Sequence, residues 1–144
     1  MEQALYQATI LTFEELGFMF PTPDTDNWGL DPATSAATSV SFHGEFDGRL
    51  VLQIEKTMMP TIAENMLGEE IPLEEEIQRD ALCEITNVIC GNALPTIAGK
   101  KAVFKLEAPQ FIEFVKNDEE PTAVARLNLE EGRAEVFLFV TEKK

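Results

Sequence analysis

The sequence contains few of the residues that build disulfides and metal centres. Among its 144 residues only Cys83 and Cys90 are cysteines, and His43 is the single histidine. Seven positions along a helix span about 10 Å, which exceeds the roughly 7 Å between Cα atoms that a disulfide tolerates. We therefore predict two reduced thiols in a cytosolic protein. No Cys-x-x-Cys or His-x-x-x-His spacing occurs, so a protein-held zinc site is not expected.

Basic residues are also scarce. The chain has 11 Lys and Arg against 26 Asp and Glu, giving a formal net charge of −15. A surface this negative repels phosphate backbones and anionic lipid, which argues against nucleic acid and membranes as partners. We expect instead a protein partner, or one that presents positive charge or a metal ion.

Export signals and long apolar runs are missing too. The first residues, MEQALYQATILTFEEL, are acidic and periodic, without the basic start and apolar block of a signal peptide. No run approaches the roughly 18 apolar residues of a membrane span. With 44% apolar residues, the chain fits a single globular domain over residues 1–144, predicted to be cytoplasmic.

The first half of the sequence indicates a helix, a loop and a hairpin. Residues 5–18 have helical apolar spacing with a stop at Gly17, and their apolar face is Leu5, Ala8, Leu11, Phe13 and Leu16. Residues 21–35, rich in Pro, Asp and Thr, predict a loop. Alternating residues over 38–54 predict a β-hairpin with Asp47-Gly48 in its turn.

Two further helices are predicted before the second half turns to strands. Residues 57–68 have Thr57 as a candidate N-cap, Pro60 in the first turn and Gly68 at the end. Residues 73–94 form the longest predicted helix, whose first turn carries three glutamates suited to the positive end of the helix dipole.

Four runs predict strands: 102–109, 111–116, 123–130 and 134–141. The last run is apolar on both faces, so we place it inside the sheet. The resulting order, helix, two strands, two helices and then strands, predicts an α+β fold with duplicated helix/strand halves. In this fold a long helix pair packs on an antiparallel sheet.

The longest helix carries a polar row that its own spacing turns outward. At about 100° per residue, Asp80, Glu84, Asn87 and Gly91 fall within a stripe roughly 60° wide. The opposite side carries the apolar residues Leu82, Ile85 and Ile89. The polar row should therefore face water, and Gly91, which has no side chain, should let something large approach the Asn87 amide.

Most exposed polar faces only keep a helix soluble, and a bare Glu-x-x-Asn should occur in roughly one chain in three of this length. The wider pattern is more specific. Asp80-x-x-x-Glu84-x-x-Asn87-x-x-x-Gly91-Asn92 resembles the signature of the CheC/CheX/FliY family of chemotaxis phosphatases. The preceding GEFDGRLVLQIEKTMMPTIAENMLGEE is similar to the strand and helix that lead into that signature.

The resemblance points to the CheX-like branch, whose members carry one active helix. On the first helix, Glu14 is followed three positions later by Gly17 and Glu15 by Phe18, so no second Glu-x-x-Asn is present. CheX-like proteins are typically homodimers that dephosphorylate a CheY-type response regulator. The resemblance thus implies a phosphorylated regulator as partner, with Mg²⁺ bound by that regulator and no cofactor on this chain.

The same resemblance implies roles for the row. Asn87 would position the attacking water, and Glu84 would dock on the regulator's active-site lysine. Asp80 and Gly91 would contact the partner. Asn92, about 120° from Asp80 and toward the core, is interpreted as structural, at a helix end that we expect before Pro95.

Two alternatives remain open at this stage. A chain that kept this surface without turnover would be a non-catalytic module that binds response regulators, or a scaffold. A free-standing hydrolase for small molecules is weaker, because the sequence shows no nucleophile motif, phosphate-binding glycine loop or metal cluster. His43 is interpreted as a surface residue, and the two cysteines as packing residues with no nearby cation to lower a thiol pKa.

Overall fold

The helices and strands follow one another in the order that the sequence predicts. The computed structural model describes residues 1–17, 19–20, 30, 32–68, 74–112, 120–129 and 132–141. In these residues the helices are α1 (Glu2–Gly17), α2 (Met59–Leu67) and α3 (Glu75–Ala98), with 3-10 turns at Pro32–Thr34 and Lys56–Met58. The strands are β1 (Ser35–His43), β2 (Asp47–Glu55), β3 (Lys105–Leu106), β4 (Gln110–Ile112), β5 (Ala123–Leu129) and β6 (Gly132–Thr141).

All the described strand pairs are antiparallel. Their order is β3-β1-β2-β6-β5, and β4 also pairs with β1, beyond β3 along the same strand. Strand β6 lies between β2 and β5, which confirms its predicted place inside the sheet. The α+β fold is likewise confirmed, with the helices packed on the sheet.

One predicted strand is much shorter than expected: β3 contains two residues, where the sequence predicts a strand over 102–109. The described residues of the predicted strand 111–116 both belong to β4 (Gln110–Ile112). Residues 113–116 lie outside the described part of the chain. Most of the predicted loop over 21–35 does as well, and its last residues enter the 3-10 turn and β1.

The predicted hairpin is present, but its predicted turn is wrong. The strands β1 and β2 are joined through residues 44–46, and Asp47 and Gly48 already belong to β2. Gly48 lies opposite Phe42, and a Cβ at this position would collide with the Phe139 carbonyl oxygen on β6. Glycine is therefore needed at position 48 because the neighbouring strands approach closely there, and not because of a turn.

Helix α1 ends at Gly17 as predicted, while Phe18 lies outside the described residues. Its buried face differs from the prediction, because Leu11 is 44% exposed. Thr9 and Thr12 are buried instead, and their hydroxyls donate to the carbonyls of Leu5 and Ala8. Since these bonds satisfy both hydroxyls within the helix, threonine can occupy the core at little cost.

Helix α2 has the predicted Pro60 in its first turn and a left-handed Gly68 at its end, where φ is 69°. The predicted N-cap at Thr57 is wrong. The 3-10 turn Lys56–Met58 precedes the helix, so Met58 takes the cap position without a side-chain hydrogen bond.

Helix α3 packs on β1 and β2 and is flanked by α1 and α2. By length and composition alone it is also a candidate membrane span among the described helices. Its apolar side is buried in the protein core, however, as in the central helix of a soluble fold. This burial fixes which side of α3 faces outward.

Candidate active site on the long helix

The polar row of α3 lies on the outer surface, as its helical spacing predicts. Asp80, Glu84 and Gly91 are exposed, and Asn87 is half-buried. On the opposite side Leu82, Ile85 and Ile89 have no exposed surface at all. The row therefore forms a ridge that another protein can contact without any rearrangement of α3.

A pair of buried threonines fixes α3 to the sheet directly beneath the row. Thr86, which precedes Asn87, is fully buried, and its hydroxyl donates to the Leu82 carbonyl at 2.9 Å. The Thr86 oxygen also shares a short hydrogen bond with the hydroxyl of Thr38 on β1. Because Thr86 already donates within the helix, Thr38 must be the donor between the two. This support was not predicted, and the available signal was that Thr38 alternates in step with Val40 and Phe42 along β1.

Within the described part of the chain, no hydrogen bond or ion pair engages the side chains of Glu84 and Asn87. Glu84 is exposed, while Asn87 is half-buried. An exposed carboxylate can reach a cation on a partner. A side-chain amide can both donate to and accept from one water molecule.

The candidate site is an open ridge rather than a cavity. Described residues line one hollow of about 310 Å³ near His43 and Arg49 and another of about 420 Å³ near Arg79 and Phe111. Neither hollow is lined by Glu84 or Asn87. Small-molecule sites are usually concave and bury most of the ligand, so an exposed ridge suits a macromolecular partner better.

The two cysteines beside the row are free thiols. Burial raises the pKa of the Cys90 thiol to about 12. Burial, and secondly the negative charge of Asp80, also raises the pKa of Cys83. Both thiols therefore stay protonated at neutral pH and are poor nucleophiles.

His43 lies at the end of β1, half exposed, and both of its ring nitrogens face carboxylates. Its Nδ1 is 3.5 Å from Asp47 Oδ1 and its Nε2 is 3.4 Å from Glu107 Oε1. In the sheet His43 neighbours the core residue Phe42 and so points to the opposite face, away from α3. The described residues contain no group of three or more His, Cys, Asp or Glu that could hold a metal ion.

Asn92 differs from its predicted setting. The helix does not end before Pro95 but continues through it to Ala98, and Asn92 is an exposed residue on the side of α3 that faces α1. Its side-chain amide donates to the Thr12 hydroxyl of α1 at 3.5 Å. This long hydrogen bond joins α3 to α1 five residues beyond Asn87. A structural role for Asn92 stays a prediction.

Comparisons with known proteins agree with the resemblance noted in the sequence. A family model described as chemotaxis phosphatase CheX matches residues 36–127, more than half of the chain. No curated protein matches the sequence. The matched segment runs from β1 into β5 and includes the whole of α3 with its polar row.

Solved structures share the fold at low sequence identity. The chemotaxis protein CheX of Desulfovibrio desulfuricans is 17% identical, with 96% of this chain and 97% of that chain covered and a TM-score of 0.75. The CheX-CheY-BeF3-Mg²⁺ complex of Borrelia burgdorferi contains a chain that is 16% identical, with 97% of each chain covered and a TM-score of 0.71. FliY of Thermotoga maritima is 18% identical, with 94% and 83% covered and a TM-score of 0.58.

The solved structures show the fold, and the family model shows the family. The chain belongs to the CheX family of chemotaxis phosphatases.

Proposed function

We propose that this protein hydrolyses the aspartyl phosphate of a CheY-type response regulator, with Asn87 positioning the attacking water and Glu84 docking on the regulator's active-site lysine. The observation that carries the proposal is the Glu84 and Asn87 pair, one turn apart on the outer face of α3 and unengaged within the described residues. Membership of a chemotaxis phosphatase family and a CheX relative solved in complex with CheY support it.

The chemistry that this chain must add is small. An aspartyl phosphate is a mixed anhydride and is already activated, and the regulator supplies its own Mg²⁺, lysine and hydroxyl groups. What is missing is a water molecule held in line with the leaving carboxylate. A neutral side-chain amide can hold that water, as a glutamine does in GTP hydrolysis. Asn87 has this chemistry and lies one turn from Glu84 on the outer face of α3.

Glu84 would dock the two proteins so that the water held by Asn87 lies in the correct place relative to the phosphate. A carboxylate that pairs with the regulator's lysine sets the register of the two proteins, and in the complex this pair is shielded from solvent. Asp80, one turn earlier, would contact the rim of the regulator, and Gly91 would admit its surface close to the helix. The exposed position of all three residues is compatible with these roles.

The wider setting is proposed on the same grounds. Residues 1–144 would act as one cytoplasmic domain that forms a homodimer and carries no cofactor of its own. A dimer is reasonable on physical grounds, because β5 and the β3/β4 side of the sheet are edges in the described structure. Exposed sheet edges tend to be covered or paired.

The test is the lifetime of a phosphorylated CheY-type regulator. The regulator is phosphorylated with a radiolabelled donor in the presence of Mg²⁺, and decay of the label is followed with and without this protein. We expect catalytic acceleration at substoichiometric protein. Equal decay in both samples, for every CheY-type regulator tried, would contradict the proposal.

The non-catalytic alternative gives a different result in the same experiment. A regulator-binding scaffold would form a complex with the phosphorylated regulator and leave its lifetime unchanged. Binding measured alongside decay therefore separates the two functions. The presence of an amide at position 87 favours the enzyme, because docking alone does not require it.

A further inference from the structure

Pro95 lies inside α3, where it leaves one backbone carbonyl without its usual donor. The helix runs through the proline to Ala98, and the N–H of Gly99 donates to the Pro95 carbonyl at 2.9 Å. In an α-helix the N–H of residue 95 would donate to the carbonyl of residue 91. Proline has no N–H, so the Gly91 carbonyl cannot receive this bond.

Gly91 also leaves that carbonyl open to the surface. The residue is exposed, and a Cβ built on it would meet nothing within 4 Å. Without a side chain, the backbone of this turn can be approached closely. Every carbonyl needs a hydrogen-bond donor, which at an exposed position is either water or a partner. The pair Gly91 and Pro95 therefore places at an exposed turn of the helix a carbonyl that lacks its usual helical donor.

This acceptor lies on the ridge of the candidate site. Gly91 is one turn beyond Asn87 and two turns beyond Glu84, about 6 Å and about 10 Å along the helix axis. Helical carbonyls point toward the C-terminus, whereas side chains lean toward the N-terminus. The Gly91 oxygen therefore points away from the Asn87 amide and does not share the water that we assign to Asn87.

We propose that the Gly91 carbonyl oxygen is a docking acceptor, which receives a hydrogen bond from an N–H or O–H group of the regulator's receiver domain. Pro95 keeps the oxygen available by removing the competing helical donor. The inference rests on the proposed function and adds to it a third contact, made by backbone, at the C-terminal end of the ridge. Glu84, Asn87 and this oxygen would then align the regulator along the axis of α3.

The substitution Pro95→Ala tests this contact without changing any side chain of the row. Alanine restores an N–H that can bond to the Gly91 carbonyl and thereby occupies it. The probe is the CheY-type regulator that the wild-type protein dephosphorylates, loaded with beryllofluoride and Mg²⁺. For Pro95→Ala we expect the Kd for this regulator to rise about threefold to tenfold, the effect of losing one interfacial hydrogen bond. We also expect KM for the phosphorylated regulator to rise while kcat changes little.

Two further variants complete the test. Pro60→Ala is the matched control. Pro60 lies in the first turn of α2, so no carbonyl inside that helix gains a donor when the proline is replaced by alanine. Its Kd should equal that of wild type. Gly91→Ala keeps the carbonyl free but places a methyl group beside it, in open space that does not threaten folding. This variant should also bind more weakly.

The outcomes separate this inference from the proposed function. If wild-type protein neither binds nor dephosphorylates any CheY-type regulator, the proposed function fails. If wild type is active and Pro95→Ala binds the regulator as tightly as wild type, the docking acceptor is disproved while the phosphatase remains, whatever the affinity of Gly91→Ala. Weaker binding of Pro95→Ala, with Pro60→Ala unchanged, supports the acceptor.

Discussion

At the scale of single residues, Glu84 and Asn87 differ in exposure. Glu84 is exposed, so its carboxylate can extend to a partner, whereas Asn87 is half-buried. This difference matches a division between docking and water positioning. Their spacing on one helical face could be read from the sequence, but the difference in exposure depends on neighbouring elements and could not.

The first prediction concerns Glu84. Replacing it by glutamine removes the charge but keeps the size, so a regulator lysine in the complex would lose its partner. Loss of such a pair typically costs about 2–5 kcal/mol, or at least roughly thirtyfold in Kd. Isothermal titration of the beryllofluoride-loaded regulator measures this change.

The matched control for Glu84 is Glu15→Gln on α1, where the residue is also exposed but lies off the row. That variant should bind the regulator like wild type. Equal affinities for Glu84→Gln and Glu15→Gln would remove Glu84 from the docking surface.

The second prediction concerns Cys90 and alkaline pH. Burial raises the pKa of this thiol from 9.0 to about 12, so the unfolded chain releases the proton before the folded protein does. Between these values the unfolded state binds fewer protons, and the free energy of unfolding falls as pH rises. Below pH 9 the contribution of the Cys90 thiol to the free energy of unfolding is fully present.

Urea unfolding at intervals from pH 8 to about pH 11 checks the thiol. The difference in unfolding free energy between wild type and Cys90→Ala should shrink as pH rises, because only wild type loses this contribution. A difference that stays constant over the range would mean that the Cys90 thiol titrates alike in both states.

At the scale of elements, α3 is a platform whose inner face anchors the site and whose outer face presents it. The apolar spacing of Leu82, Ile85 and Ile89 was enough to predict which side faces outward. Its end was mispredicted at Pro95, because proline usually terminates helices. Helix α3 continues because only the Gly91 carbonyl loses its donor there, and that position is exposed to solvent.

The third prediction tests the anchor beneath the row. Thr86→Val leaves the Thr38 hydroxyl buried without its acceptor and should cost about 1–3 kcal/mol of stability. Adding Thr38→Val removes that orphaned group, so the double variant should be more stable than Thr86→Val alone. Chemical unfolding of wild type, both single variants and the double variant gives the coupling energy.

Strictly additive losses in this cycle would show that the two threonines are energetically independent. Phosphatase activity of the double variant then serves as a second readout. We expect it to persist, because valine keeps the packing of α3 on β1 and the row is untouched.

At the scale of the molecule, the sequence predicted the order of elements better than their connections. The hairpin was predicted, yet Gly48 was assigned to a turn because its real constraint, the carbonyl of Phe139, comes from a strand about 90 residues away. The N-cap at Thr57 failed because β2 leads into a 3-10 turn. Local patterns identify elements, whereas contacts between distant segments decide where they begin and end.

The fourth prediction concerns assembly. The described sheet has edges at β5 and on the β3/β4 side, and pairing with a second copy would cover one of them. Light scattering at micromolar concentration should give roughly twice the chain mass of 16.1 kDa. A particle of single-chain mass across the concentration range would contradict the proposed homodimer.

The most direct measurement is single-turnover decay of the phosphorylated regulator at saturating protein, compared between wild type and Asn87→Ala. Saturation removes differences in docking, so the rate reports only on the bond-breaking step. Losing one preorganised polar contact should slow it about 10²- to 10³-fold, while Gln7→Ala on the exposed surface of α1 should behave like wild type. An Asn87→Ala rate equal to that of wild type would show that the amide does not direct the attacking water.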